Sequence, residues 1–155
     1  MHLGDLISPE AVIPSLKTKT KKQLLVELSG RVARLAGLQE RDVFDVLWQR
    51  ERLGSTGLGR GVAIPHGKIA GLKRIVGVFA RVAEPIDFES VDGEPVDIVF
   101  VLLTPEGAGA DHLKALARIS RLLREDPAVE KLRASKDAAA LYAVLTQEET
   151  SSHAA

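Results

Sequence analysis

The sequence predicts a single α/β domain in which a mixed β-sheet is sandwiched between α-helices. Three observations carry that expectation. Helical periodicity fills the stretch from Lys21 to Arg52, apolar strand-like runs follow between Arg74 and Leu103, and helical periodicity returns from Asp111 onward. Helices on both sides of a strand block in chain order suit a sheet covered on both faces. A length of 155 residues allows one domain with a real core and is short for two.

Residues 5–16 read as an irregular lead-in with a helical turn and a short strand near Val12–Leu16. The basic run Lys17–Lys22 (KTKTKK) reads as a solvated loop and helix start in preference to a docking patch. From Lys21 to Ala36, residues Leu24, Leu25, Leu28, Val32 and Leu35 form one apolar stripe at helical spacing. Gly37 suits the helix end. A second helix, Glu40 to Arg52, is expected to bury Val43, Phe44, Val46, Leu47 and Trp48, and its short connection to the first predicts a helical hairpin.

The texture then changes. Gly54–Gly67 (GSTGLGRGVAIPHG) holds five glycines in fourteen residues. Arg74–Val82 and Val96–Leu103 are rich in Val, Ile and Phe and read as strands. The second is almost wholly apolar, which suits a central strand. Between them, Glu84-Pro85 and Asp92–Pro95 mark turns, with a short edge strand at Ile86–Phe88. Asp111 is the expected N-cap of a helix through Arg124, with Leu113, Leu116, Ala117, Ile119, Leu122 and Leu123 inward. Asp126-Pro127 opens a short helix. Ser135 is the expected cap of a last helix that turns Ala138, Leu141, Val144 and Leu145 inward. The core is expected over residues 5–147, and residues 148–155 as a loose tail.

Composition excludes several classes of function. Lys+Arg and Asp+Glu both total 21, so there is no basic excess to hold a nucleic acid, and 4% aromatic content leaves little for base stacking. With no cysteine, the chain has no disulfide, thiolate metal site or cysteine nucleophile. Asp5, Pro9, Glu10 and Pro14 interrupt the N-terminal stretch, which does not read as a signal peptide. Uninterrupted apolar runs such as Ile98–Leu103 are too short to cross a bilayer. A soluble cytoplasmic protein is expected, with no membrane insertion and no nucleic-acid partner.

Of the four histidines, His2 and His153 lie in the terminal segments, which leaves His66 and His112 as candidates for chemistry. Pro65 biases Ile64 to an extended conformation, and Gly67 permits a sharp turn straight after His66. The upstream glycines let backbone N–H groups come close to an anion. The same features also describe a flexible hairpin with a surface histidine on it, since no G-K-[ST] ending or G-x-G-x-x-G fingerprint is present. His112 stands at a presumed helix N-terminus, where the dipole attracts phosphate and keeps an imidazole neutral. Arg50 precedes the glycine-rich segment and carries a guanidinium suited to phosphate. Each has an ordinary surface reading as well, and Glu51 and Arg52 beside Arg50 read as solvated.

What joins the three is a resemblance. The run from Arg50 to Lys68 (RERLGSTGLGRGVAIPHGK) resembles the signature of the fructose/mannitol-type enzyme IIA domain of the bacterial phosphotransferase system, nearest its nitrogen-regulatory branch. Pro85–Phe88, Pro95–Phe100 and His112–Leu116 resemble that family too, and the likeness covers about residues 5–147. The resemblance implies that His66 is the phosphorylated residue, that Arg50 and His112 are its active-site partners, and that Ser55, Thr56 and Gly57 help to cradle the phosphate. It implies transfer to Nε2, an HPr-like histidine phosphocarrier as donor, and no cofactor or metal. The regulatory branch implies target proteins such as potassium-transport or sensor components. With neither cysteine nor membrane span, the chain lacks the downstream transport modules, so a regulatory output is expected. The alternative is a sugar-transport component that passes phosphate to a separate enzyme IIB. A binding module with an unmodified histidine, and a hydrolase using His66 as general base, are competing classes. The hydrolase lacks a nucleophile or paired carboxylates near the loop.

Overall fold

The structure is a computed structural model that describes the backbone of residues 1–154 and the side chains of residues 1–147. Two short 3-10 turns, Leu3–Asp5 and Pro9–Ala11, lead into β1, Val12–Leu16, where the sequence predicts its short strand. Helix α1 is Lys21–Ala36 and α2 is Glu40–Arg52. Thr20 caps α1 by accepting the Gln23 N–H at 3.1 Å, and Gly37 ends it at φ 69°, a conformation that suits a residue without Cβ. The two helices pack together as the expected hairpin. Leu35 departs from the predicted stripe and is 41% exposed. It lies in the last turn of α1, on the wall of an open cleft that it shares with Leu6, Ala11 and Val76.

Strands β2 (Gly57–Gly59) and β3 (Val62–Ala63) form a tight antiparallel ribbon. They are followed by β4 (His66–Ile69), β5 (Val76–Ile86) and β6 (Val96–Pro105). The sheet order is β1-β5-β6-β3-β2, with β4 also paired to β6. Strands β3 and β4 run parallel to β6, β5 runs antiparallel to it, and β1 runs parallel to β5. The sheet is therefore mixed. Every residue from Ile98 to Thr104 is 0% exposed, as a strand covered on both faces requires. Helices α1 and α2 pack on β5 and β4, while α3 (Ala110–Leu123), α4 (Asp126–Ala134) and α5 (Ala138–Ala154) pack on β6 and β1.

Three local expectations are corrected. Glu84-Pro85 is not a turn, and Ile86 does not start a separate edge strand: β5 continues through both to Ile86, which pairs with Val96. Pro85 is tolerated because the β5–β6 ladder is irregular between Arg81 and Ile86 and the β1 pairing has ended at Val82. Asp111 is not the N-cap of α3; Gly109 is, at φ 54°. The buried face of α3 is His112, Ala115, Ile119, Leu122 and Leu123, which leaves Leu113 67% exposed and Ala117 exposed. Asp137 caps α5 by accepting the Ala140 N–H at 3.3 Å, whereas Ser135 donates to the Lys131 carbonyl at 2.7 Å and closes α4. Helix α5 runs to Ala154. Gln147–Ala154 contains no glycine or proline to stop a helix. The tail's side chains from residue 148 lie outside the described residues.

Candidate active site

The site begins at a break in a strand. β3 and β4 both run along β6, and Ile64 and Pro65 interrupt them. Pro65 has no N–H to offer the ladder, but its carbonyl accepts the Leu102 N–H at 2.9 Å and locks the break onto the central strand. The Ile64 carbonyl instead pairs with His66 Nδ1 at 2.7 Å. A carbonyl can only accept, so Nδ1 carries the ring proton and Nε2 keeps a free lone pair. Burial holds the His66 imidazole below the usual histidine range; the Ile64 bond opposes that, the Arg50 guanidinium adds to it, and the Glu51 carboxylate opposes it.

Gly67 is a strand residue, not the turn that the sequence suggests. A Cβ there would lie 2.4 Å from Val46 Cγ1, so the glycine serves the close approach of α2 to β4. That approach brings Arg50, in the last turn of α2, near enough for its charge to bear on His66. Arg50 Nη1 donates to the Gly54 carbonyl at 3.0 Å. From the other side, His112 enters in the first turn of α3, its ring centroid 5.7 Å from that of His66 with the planes tilted by 51°. Burial lowers its pKa, and His66 and Lys68 lower it further. Thr104 Oγ1, fully buried on β6, lies 2.6 Å from His112 Nδ1. His66, His112 and Arg50 thus converge from β4, α3 and α2.

Ser55, Thr56 and Gly57 are placed differently. The Thr56 N–H points to both Glu51 carboxylate oxygens, at 3.3 and 3.2 Å, and the Thr56 hydroxyl also donates to Glu51. The Gly57 N–H donates to Ser55 Oγ at 3.1 Å, and the Ser55 hydroxyl reaches the Phe88 carbonyl at 3.4 Å. A Cβ at Gly57 would sit 2.3 Å from Ser90 Oγ, so this glycine answers to packing. The donors of Thr56 and Gly57 are spent on holding the loop's own shape, and neither is open to an anion.

Glu51 is the main residue that sequence reasoning misplaces. It is 6% exposed, not solvated, and its carboxylate pairs with Lys21 Nζ at 2.9 Å. Lys21 in turn lies 4.5 Å from the centre of the Phe88 ring, so this one lysine of the basic run is not solvated either, while Lys22 is exposed. A signal was present: Val43, Leu47 and Glu51 recur every four residues, and they are the buried residues of α2. From Glu51 a chain of hydrogen bonds leads to the catalytic candidate. Thr56 donates to Glu51, the Thr56 carbonyl accepts the Ile64 N–H at 3.0 Å, and the Ile64 carbonyl accepts from His66. Thr104 was also missed, since a threonine ending an apolar strand carries no sequence mark of its own.

Among the described residues, no group of three or more His, Asp or Glu is placed to hold a metal ion, and no helix is long and apolar enough to cross a membrane. The geometry offers a neutral imidazole with a free nitrogen lone pair, flanked by a second imidazole and a guanidinium. Such a set suits attack on an anionic electrophile.

Comparison with known proteins bears on the same stretch. The family model described as phosphoenolpyruvate-dependent sugar phosphotransferase system, EIIA 2, matches residues 5–148. The chain is 62% identical over 145 residues to a nitrogen regulatory protein of Bradyrhizobium diazoefficiens, covering 94% of this chain and 95% of that one. It is 34% identical over 143 residues to a PTS system fructose-specific EIIA component of Haloferax volcanii, covering 91% and 93%. The crystal structure of nitrogen regulatory protein IIA-Ntr from Neisseria meningitidis is similar with a TM-score of 0.89 and 38% identity, covering 93% of this chain and 99% of that one.

Proposed function

The chain belongs to the phosphotransferase-system enzyme IIA family of type 2, and on that premise we propose that it accepts a phosphoryl group on Nε2 of His66 from the phosphohistidine of an HPr-like carrier. One observation carries this reading: the 2.7 Å bond between His66 Nδ1 and the Ile64 carbonyl, which leaves Nε2 as the free nucleophile. The Nε2 lone pair attacks phosphorus in line as the donor's N–P bond breaks. One N–P bond forms, one is lost, and the donor's imidazole leaves with its electron pair. Arg50 stabilises the charge on the equatorial oxygens, and His112 offers them a hydrogen bond. The Ile64 carbonyl keeps hold of the proton on Nδ1 and steadies the ring through the transfer.

The phosphorylation state is read as a regulatory signal in the cytoplasm, with nitrogen metabolism and potassium-transport or sensor proteins as the output. The 62% identity to a nitrogen regulatory protein favours this over a sugar-transport role, which the relative at 34% identity supports. Incubation with phosphoenolpyruvate, enzyme I and an HPr-like carrier tests the transfer. An acid-labile phosphate on the wild type and none on His66→Ala is the expected result; an unlabelled wild type overturns the proposal. Adding enzyme IIB and the membrane component of a fructose or mannitol system then tests the output. Sugar phosphate formed through this chain would replace the regulatory reading with the transport one.

A further inference from the structure

His112 has a partner that decides what its ring can do. Thr104 is 0% exposed, on the strand that also carries β4, and pairs across the ladder with Lys68. Among the described residues, its hydroxyl makes one hydrogen bond, at 2.6 Å to His112 Nδ1. A buried hydroxyl needs an acceptor for its own proton. Were Nδ1 the donor, the threonine proton would be left without an acceptor among the described residues. The hydroxyl therefore donates, Nδ1 accepts, and the proton of a neutral His112 sits on Nε2.

We propose that Thr104 is a positioning residue of the phosphoryl-transfer site, its hydroxyl fixing His112 as the Nε2–H tautomer that donates to the phosphoryl oxygens on His66. The inference rests on the function proposed above and names the group that sets the second histidine's role. The two rings are then complementary. His66 gives its Nδ1 proton to a carbonyl that can only accept, and so presents a lone pair at Nε2. His112 receives at Nδ1 from a hydroxyl with no other acceptor, and so presents a proton at Nε2. The nucleophile and the donor are told apart by what stands behind each ring.

Nitrogen-15 NMR of the imidazoles reads the tautomers directly, and transfer from the phosphorylated carrier reads the consequence. The wild type is expected to show His112 as Nε2–H. Thr104→Val, which keeps the side-chain shape and removes the hydroxyl, is expected to mix the tautomers and slow transfer about tenfold, while Thr104→Ser restores both. An Nδ1–H tautomer in the wild type overturns the inference even where the valine variant fails to fold. So does a folded Thr104→Val protein with unchanged tautomer and rate. A wild type that takes no phosphoryl group sinks the function of the site itself, a failure visible apart from the tautomer.

Discussion

Replacing Glu51 with glutamine tests the support beneath the site. The carboxylate side chain is 2% exposed and that of its partner Lys21 is 11% exposed. Glu51 receives the Lys21 ammonium at 2.9 Å, the Thr56 N–H and the Thr56 hydroxyl. Glutamine removes the charge and turns one acceptor oxygen into an NH₂ group, which must face a donor whichever way the amide is set. Breaking one side of a buried ion pair costs about 3–5 kcal/mol. Lys21 keeps a little solvent contact and its seat over Phe88, so the lower end applies, about 3 kcal/mol. Urea denaturation followed by circular dichroism should show a lower midpoint with an unchanged slope. Lys21→Met should likewise cost about 3 kcal/mol by leaving the carboxylate without its counter-charge, and the double variant should lose less than the sum by about 2 kcal/mol. A loss under about 1 kcal/mol for Glu51→Gln, or strict additivity in the double variant, would refute the reasoning. Because Glu51 is linked through Thr56 and Ile64 to His66, the same variant should also slow phosphoryl acceptance.

Two further outcomes are expected. His66 and His112 are both held below the ordinary histidine value of 6.5, first of all by burial. Near that pH the unfolded chain binds protons that the folded chain refuses, so stability should fall as pH drops through about 6.5 and level off below the folded-state values. Denaturation at a series of pH values measures the slope, and a His66 NMR titration midpoint at or above 6.5 would contradict the assignment. Arg50→Ala should slow phosphoryl transfer on the order of 10²-fold, as loss of a charge-stabilising group does, with stability changed by less than about 0.5 kcal/mol. Its hydrogen bond goes to the Gly54 carbonyl at a helix end, not into the core. Unchanged transfer kinetics would remove Arg50 from the mechanism.

Much of this fold was legible because its signals are local. The stripes of α1 and α2 and the apolar run of β6 appear where periodicity puts them. The pair Ile64-Pro65 marked the break that turns a carbonyl toward His66. What was hidden depends on neighbours distant in sequence. Pro85 looked like a turn until the irregular ladder around it was seen. Asp111 looked like a cap, yet Gly109 takes that place, and the buried face of α3 begins at His112. Gly67 looked like a hinge, and only the position of Val46 shows that it is a contact. The site divides the same way. His66, His112 and Arg50 carry their chemistry in their residue types, whereas Thr104 and Glu51 act through partners that only the folded chain supplies.

The atom that carries the phosphate is the most direct test. Phosphorylated protein labelled with nitrogen-15 should show one phosphorus signal coupled to Nε2 of His66, with Nδ1 still protonated against the Ile64 carbonyl. A phosphoryl group on Nδ1 of that ring, or on any other residue, would contradict the proposed geometry.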